Sequence, residues 1–181
     1  TDSCFLGGTP WKLMDVFGLR SMEIDGLYEG EFNGAVPVQG NSLGLNRKYS
    51  CKNLCELVKV SDAEVLMEYE KDFYQGMPVL TCKKYGKGKA YYVCADMEQE
   101  FYTDVLDRII RQENLEVPLK TIPEGIEVCT RESSEWIYTF VQNFNHQPAK
   151  ISIEENMERW FGGDEDDGIP EYGTAVYRKR K

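Results

Sequence analysis

Residues 68–93, EYEKDFYQGMPVLTCKKYGKGKAYYV, decide how this chain folds. PVLTCKKY (78–85) and KAYYVCA (89–95) are two runs rich in Val, Leu, Tyr and Cys, separated by Gly86-Lys87-Gly88. A link that short joins only antiparallel neighbours, so the runs are predicted to be the two strands of a hairpin. AYYVCA is continuously apolar, which predicts a strand covered on both faces. Ahead of the hairpin, AEVLMEYE (63–70) reads as a further, mostly apolar strand of the kind buried in α/β folds. The loop between them carries the adjacent aromatic pair Phe73 and Tyr74.

The elements on either side are read from the same periodicities. In TPWKLMDVFG (9–18), the apolar spacing of Trp11, Met14 and Phe17 predicts a short helix that stops at Gly18. LRSMEID (19–25) is loosely strand-like, and residues 28–46 are rich in Gly and Asn, which predicts an irregular or hairpin excursion. Ser50 is placed as the cap of a short helix through Leu57. The clearest helix spans 97–114, where Phe101, Val105, Leu106, Ile109 and Ile110 line one face. Asp96 is its expected N-cap, Gln99 holds the capping-box position, and Arg108 and Arg111 suit its C-terminal dipole. Such a helix packs on a sheet.

Pro118 and TIPEG (121–125) mark a break in composition and predict a domain boundary near residue 120. Beyond it IEVCTRE, WIYTFVQNF and AKISIE read as three successive strands, and EYGTAVYRKR as a fourth. The domains are therefore expected at 1–120 and 121–181, an α/β unit followed by a small antiparallel all-β unit. GGDEDDG (162–168) is expected to be a polar loop.

Composition narrows the function classes. The chain has 181 residues, 41% hydrophobic and 29% charged, with a formal net charge of −10. That acidity argues against nucleic acid as a partner, because phosphate backbones are bound by clustered Lys and Arg. The basic cluster, residues 178–181, reads as a solvated tail. No apolar run approaches the roughly 18 residues of a membrane span. The N-terminus lacks the basic and apolar regions of a signal peptide and does not begin with Met, so a processed or truncated chain is expected. Six cysteines show no second CxxC pair to complete a tetrahedral metal site, and Cys82 and Cys94 fall inside apolar strand patterns. Reduced, mostly buried thiols are predicted, which favours a cytoplasmic setting.

No motif carries catalysis. Gly7-Gly8 and Gly86-Lys87-Gly88 match neither GxGxxG nor GxxxxGK[ST], and the second precedes a strand where a phosphate loop needs a helix N-terminus. Asp164, Glu165, Asp166 and Asp167 offer hard oxygen ligands suited to calcium but lack EF-hand spacing. His146, the single histidine, sits in the polar turn NFNHQP, and Ser42 in GNSLG misses the GxSxG spacing by one residue. Cys4, before FLGG, is read as a packed thiol. Among the acidic residues only Glu135, beside Trp136, sits in a strand-end context with an aromatic neighbour for a sugar, and Trp136 is assigned to a sandwich core. Trp160 and Phe161 form a candidate sugar-stacking pair. No catalytic, cofactor-binding or metal-binding residue is assigned, and no cofactor is expected. On residues alone the chain reads as a binding, scaffolding or assembly piece.

Three segments in one order resemble the C-terminal region of glycoside hydrolase family 42 β-galactosidases. SCFLGGTPWKLMDVFGLRSMEIDGL (3–27) and AEVLMEYEKDFYQGMPVLTCKKYGKGKAYYV (63–93) resemble its trimerisation domain. IPEGIEVCTRESSEWIYTFVQNFNHQPAKISI (122–153), with the late EYGTAVY, resembles its short C-terminal β-domain. The order of these motifs is more specific than any one of them, and the likeness is weakest over 29–41 and 154–168. The resemblance implies a parent enzyme with an N-terminal (β/α)₈ barrel, a flavodoxin-like or glutamine-amidotransferase-like trimerisation domain and this β-domain. Two glutamates in that barrel would hydrolyse terminal non-reducing β-D-galactosides with retention. The barrel is not in this sequence, so no family catalytic residue is carried onto it and the 181 residues alone should be inactive. Cys4 lacks the Gly-x-Cys-x-Gly elbow of true amidotransferases, which makes an independent amidotransferase-like enzyme the weakest reading.

The sequence therefore predicts a non-catalytic assembly region. Its partners would be itself, as a homotrimer in the parent, together with the parent's barrel, with Phe73 and Tyr74 as the expected subunit contact. The alternative is a stand-alone carbohydrate-binding or interaction module using Trp136, Trp160 and Tyr172.

Overall fold

The computed structural model describes residues 9–119, 121–164 and 168–181, which fall into two compact units divided between Leu115 and Glu116. In the first, a 3₁₀ turn (Trp11–Leu13) runs into one turn of helix, α1 (Met14–Phe17). Gly18 ends it at φ +65°, its N–H bonded to the Met14 carbonyl at 2.7 Å. A Cβ there would stand 2.4 Å from Asp62 Oδ1, so glycine is required for both conformation and space. The strands follow as β1 (Leu19–Gly26), β2 (Asn33–Pro37), β3 (Tyr49–Val60), β4 (Glu64–Tyr69), β5 (Pro78–Tyr85), β6 (Gly88–Val93) and β7 (Ala95–Met97), and then α2 (Gln99–Gln112).

Their hydrogen-bonded order is β1-β3-β2-β4-β5-β6, with β7 returning to β3. β6 and β7 are one run interrupted at Cys94, whose N–H reaches Val79 O at 2.8 Å and whose carbonyl accepts Glu56 N–H at 2.6 Å. The ladder therefore closes on itself through β3, β2, β4, β5 and β6–β7, a small barrel with β1 added outside the ring. Closure leaves the inward residues fully enclosed: Ala35, Cys55, Leu66, Met67, Val79 and Leu80 form its core. α2 contributes Phe101 and Val105 to this core, and Phe101 meets Tyr49 edge-on at 5.4 Å.

Several expectations change. The α/β layering does not appear among the described residues: every strand pair is antiparallel, because the links are hairpins and short excursions rather than helical crossovers. The helix expected from Ser50 to Leu57 is instead part of the long strand β3. Cys51 and Cys55 both face inward at a helix-like spacing of four because Asn53 and Leu54 bulge out of the ladder between them. The excursion over 28–46 contains a true strand, β2. α2 lies within the expected span, but Glu98 holds the N-cap position without a side-chain cap bond. Its carboxylate accepts the Ser50 N–H at 2.9 Å, while Asp96 accepts from the Asn53 amide. β6 has apolar neighbours on both faces: Tyr91 and Val93 pack on the main core, and Tyr92 on a satellite of Leu19, Val58 and Cys94, with Phe17 edge-on to it at 5.0 Å.

The second unit is a four-stranded antiparallel sheet, β11-β13-β9-β8, with a two-stranded ladder of β10 and β12. Its strands are β8 (Ile126–Glu132), β9 (Trp136–Asn143), β10 (Ala149–Lys150), β11 (Glu158–Gly162), β12 (Gly168–Ile169) and β13 (Thr174–Arg180). The strand expected over AKISIE is limited to Ala149–Lys150, and the sheet's outer strand is instead β11. Ile126, Val141, Ile151, Ile169, Ala175 and Tyr177 make the core.

Asn143 is its polar centre. The buried side-chain amide donates to the carbonyls of Gln147 (2.8 Å), Ile169 (3.2 Å) and Pro170 (2.9 Å), and its oxygen accepts Asn145 N–H at 2.9 Å. One side chain thereby ties the turn after β9 to the end of β12 and the residue that follows it.

Candidate assembly surface

The loop after β4 is built to hold one aromatic inside and one outside. Asp72 takes φ +77° and its carboxylate accepts Phe73 N–H at 2.7 Å. Gln75 N–H returns to Asp72 O at 3.0 Å, and Tyr69 and Gly76–Met77 close the base, with N···O distances of 2.9 Å. From the side, Asn33 on β2 clamps the loop: its amide donates to Lys71 O at 3.0 Å and its oxygen accepts Lys71 N–H at 3.2 Å. Asn33 itself is buried, which holds this clamp in place.

Tyr74 turns inward and is 1% exposed, edge-on to Tyr69 at 4.9 Å. It is therefore a core residue and leaves the expected contact pair, because its ring fills the barrel interior beside Cys55. Phe73 is 72% exposed, and its ring stands on Tyr74, also edge-on at 4.9 Å. Phe32, adjacent to the Asn33 clamp, is exposed as well. A shallow cleft runs between Phe32, Lys48, Tyr49 and Lys71. Beside it the Tyr49 hydroxyl donates to Asp104 Oδ2 at 2.7 Å. Burial, followed by that bond to a carboxylate, pushes the Tyr49 phenol up to about 12.

The second unit presents aromatics by a different device. Along β11 the pairing with β13 slips between Arg159 and Phe161, leaving Trp160 as a bulge. Consecutive residues of a regular strand point to opposite faces; here Trp160 and Phe161 are 54% and 64% exposed on one. Trp160 meets Tyr138 edge-on at 5.4 Å, and Phe161 is in register with Val176. Gly162 (φ +64°) makes the bulge possible, since a Cβ there would lie 2.1 Å from Thr174 O. Trp136, assigned to a sandwich core, instead lies on this outer face under the Arg178 guanidinium at 4.2 Å. Tyr172 is not brought to it. It packs on His146 beyond the far end of β9, roughly 20 Å or more along the strand from Trp136.

Among the described residues no group of three or more His, Cys, Asp and Glu is placed to hold a metal. Of the acidic run, Glu165, Asp166 and Asp167 lie outside the described residues, as does Cys4, so the calcium and amidotransferase expectations fall there. Cys82 and Cys94 are buried thiols, as the strand patterns implied, and Cys129 is exposed. The two clamps, Asn33 and Asn143, were not anticipated; a lone Asn in a polar stretch carries no periodic signal that separates it from a turn residue.

Two antiparallel β units, each setting exposed aromatic side chains on a hydrogen-bonded support, make up the described residues. Residues 1–116 match the family profile described as "Beta-galactosidase trimerisation domain", and residues 125–179 match "Beta-galactosidase C-terminal domain". The chain belongs to the glycoside hydrolase family 42 β-galactosidases, of which it carries the trimerisation and C-terminal domains.

It is 40% identical over 157 residues to β-galactosidase BgaP of Planococcus sp. (strain L4), covering 87% of this chain and 23% of that protein. It is 33% identical over 184 residues to β-galactosidase Pbg of Clostridium perfringens, covering 99% and 27%. Among solved structures, the β-galactosidase from Rahnella sp. R3 superposes with a TM-score of 0.78 at 32% identity, covering 99% of this chain and 26% of that one. The β-galactosidase from Bacillus circulans sp. alkalophilus gives 0.73 at 32% identity, covering 96% and 26%. The chain thus spans about a quarter of the length of the relatives it matches.

Proposed function

We propose that these residues are the non-catalytic assembly region of a β-galactosidase, holding three copies of the parent together through the Phe73 loop. In the parent, two glutamates of an N-terminal (β/α)₈ barrel would hydrolyse terminal non-reducing β-D-galactosides with retention of configuration. The flavodoxin-like layering expected of the whole trimerisation domain would belong to that parent rather than to these residues, and its setting would be cytoplasmic. The observation that carries the reading is the exposure of Phe73 on a loop pinned by Asn33, Tyr74 and its own turn. An aromatic held in one conformation loses little entropy on docking, which is the property of an interface anchor. Light scattering on the full-length protein tests this: a mass of three subunits that falls on Phe73→Asp supports it, and a monomeric wild type removes it.

A second reading is favoured by one observation, the bulge that places Trp160 and Phe161 together on an open sheet face. That face would stack a sugar ring in the manner of a carbohydrate-binding module. Titration with galactosides separates the two, since saturable binding abolished by Trp160→Ala belongs to the module alone.

A further inference from the structure

Cys51 and Cys55 have no part in the contact surface, yet the fold brings their sulfurs to 4.0 Å from each other inside the barrel. On β7, Cys51 is opposite Met97, Lys52 opposite Asp96 and Cys55 opposite Ala95, so Asn53 and Leu54 have no β7 partner. Asn53 takes φ +60°, and its carbonyl is held by Leu27 N–H at 2.9 Å. The bulge thus shortens four residues of chain to two positions of ladder. Two such positions stand roughly 6.5–7 Å apart and point to one face, close to the upper end of the roughly 4.4–6.8 Å that a disulfide spans between Cα atoms. The thiols are also differentiated. The contact with Cys51 pushes the Cys55 thiol down to about 7, while the same contact, and then burial, pushes Cys51 up.

We propose that Cys51 and Cys55 form an oxidation site, at which a peroxide converts the dithiol into an intrachain disulfide that locks the β3 bulge. The Cys55 thiolate attacks one oxygen of hydrogen peroxide, the O–O bond breaks, and the leaving hydroxide takes up a proton to depart as water. The Cys51 sulfur then attacks the resulting sulfenic acid; the S–S bond forms, the S–O bond breaks, and the Cys51 proton leaves with a second water. Two thiols and one peroxide become one disulfide and two waters, and a dithiol reductant reverses the change. Both sulfurs are buried, so peroxide enters when the three-residue strand β7 opens from β3. That opening is a fast pre-equilibrium, and attack by the Cys55 thiolate sets the pace.

Lys52 lies between the two cysteines, so trypsin cuts the pair into YSCK (49–52) and NLCELVK (53–59). The full-length protein is treated with hydrogen peroxide, its remaining thiols are blocked with N-ethylmaleimide in denaturant, and it is digested without reductant. The two peptides are expected linked, lighter by two hydrogens than the free pair, and separated by dithiothreitol. The link should form about tenfold faster at pH 8 than at pH 6, following the thiolate fraction of Cys55. Cys82→Ser should leave it intact, and Cys51→Ser should abolish it and leave a Cys55 sulfenic acid that dimedone traps. The wild-type map decides the matter even where a variant fails to fold. Both peptides still carrying N-ethylmaleimide under peroxide that oxidises the exposed Cys129, or Cys55 linked to another cysteine, would overturn the proposal.

Discussion

The loop at Phe73 and the strand at Trp160 solve one problem in opposite ways. In the first unit Tyr74 packs into the core beside Tyr69 and anchors the loop, while Phe73 is left outside. In the second unit the sheet is open, and a bulge with a left-handed Gly162 suffices to turn two adjacent aromatics to one face. The loop depends on buried packing and a clamp, while the strand depends on backbone geometry. Packing defects cost more than one strained dihedral, so the two presentations should fail at different thresholds.

Tyr74→Ala is expected to have the largest effect, about 3–5 kcal/mol of stability, as for other large buried aromatics. Its urea midpoint should fall steeply and the Phe73 loop should gain protease sensitivity; an unchanged midpoint would mean the anchor is dispensable. Asn143→Ala comes next, at about 2–3 kcal/mol, because three carbonyls lose their donor. Amide exchange in the segments around residues 147 and 170 should accelerate before that of β9. Gly162→Ala should cost about 2 kcal/mol by combining positive φ with the approach to Thr174 O, and near-ultraviolet dichroism should report loss of the Trp160–Tyr138 contact. A regular β11 retaining both aromatics outside would contradict the bulge account.

The smallest effect concerns pH. Tyr49 is held neutral to about 12 in the folded chain, against an ordinary value near 10. Between those values the unfolded chain has released this proton and the folded one has not, so stability falls as pH rises through that window. Tyr49→Phe should make alkaline unfolding shallower there, while lowering stability at neutral pH through loss of the bond to Asp104.

Much of the local structure was legible. The 78–93 hairpin follows from the short Gly86-Lys87-Gly88 link between β-rich runs, and α2 from its 3.6-residue apolar stripe. What the sequence concealed was set by long-range pairing. A two-residue bulge gave β3 a false helical period, and barrel closure depends on Cys94 bonding to both Val79 and Glu56, partners at 15 and 38 positions' remove. The same holds for the surface. Phe73 and Tyr74 are adjacent, chemically alike and equally placed in the motif, and only packing against Tyr69 separates the buried ring from the exposed one. Trp160 was visible as an aromatic pair with Phe161, but not as part of a strand, because a bulge breaks the alternation by which strands are read.

The central claim is that this region assembles its parent through Phe73, and the most direct test is the solution mass of the full-length protein with Phe73→Asp beside the wild type. The account predicts three subunits for the wild type and one for the variant, with far-ultraviolet dichroism unchanged because an exposed substitution leaves stability within about 0.5 kcal/mol. A variant that remains a trimer of full mass would contradict it.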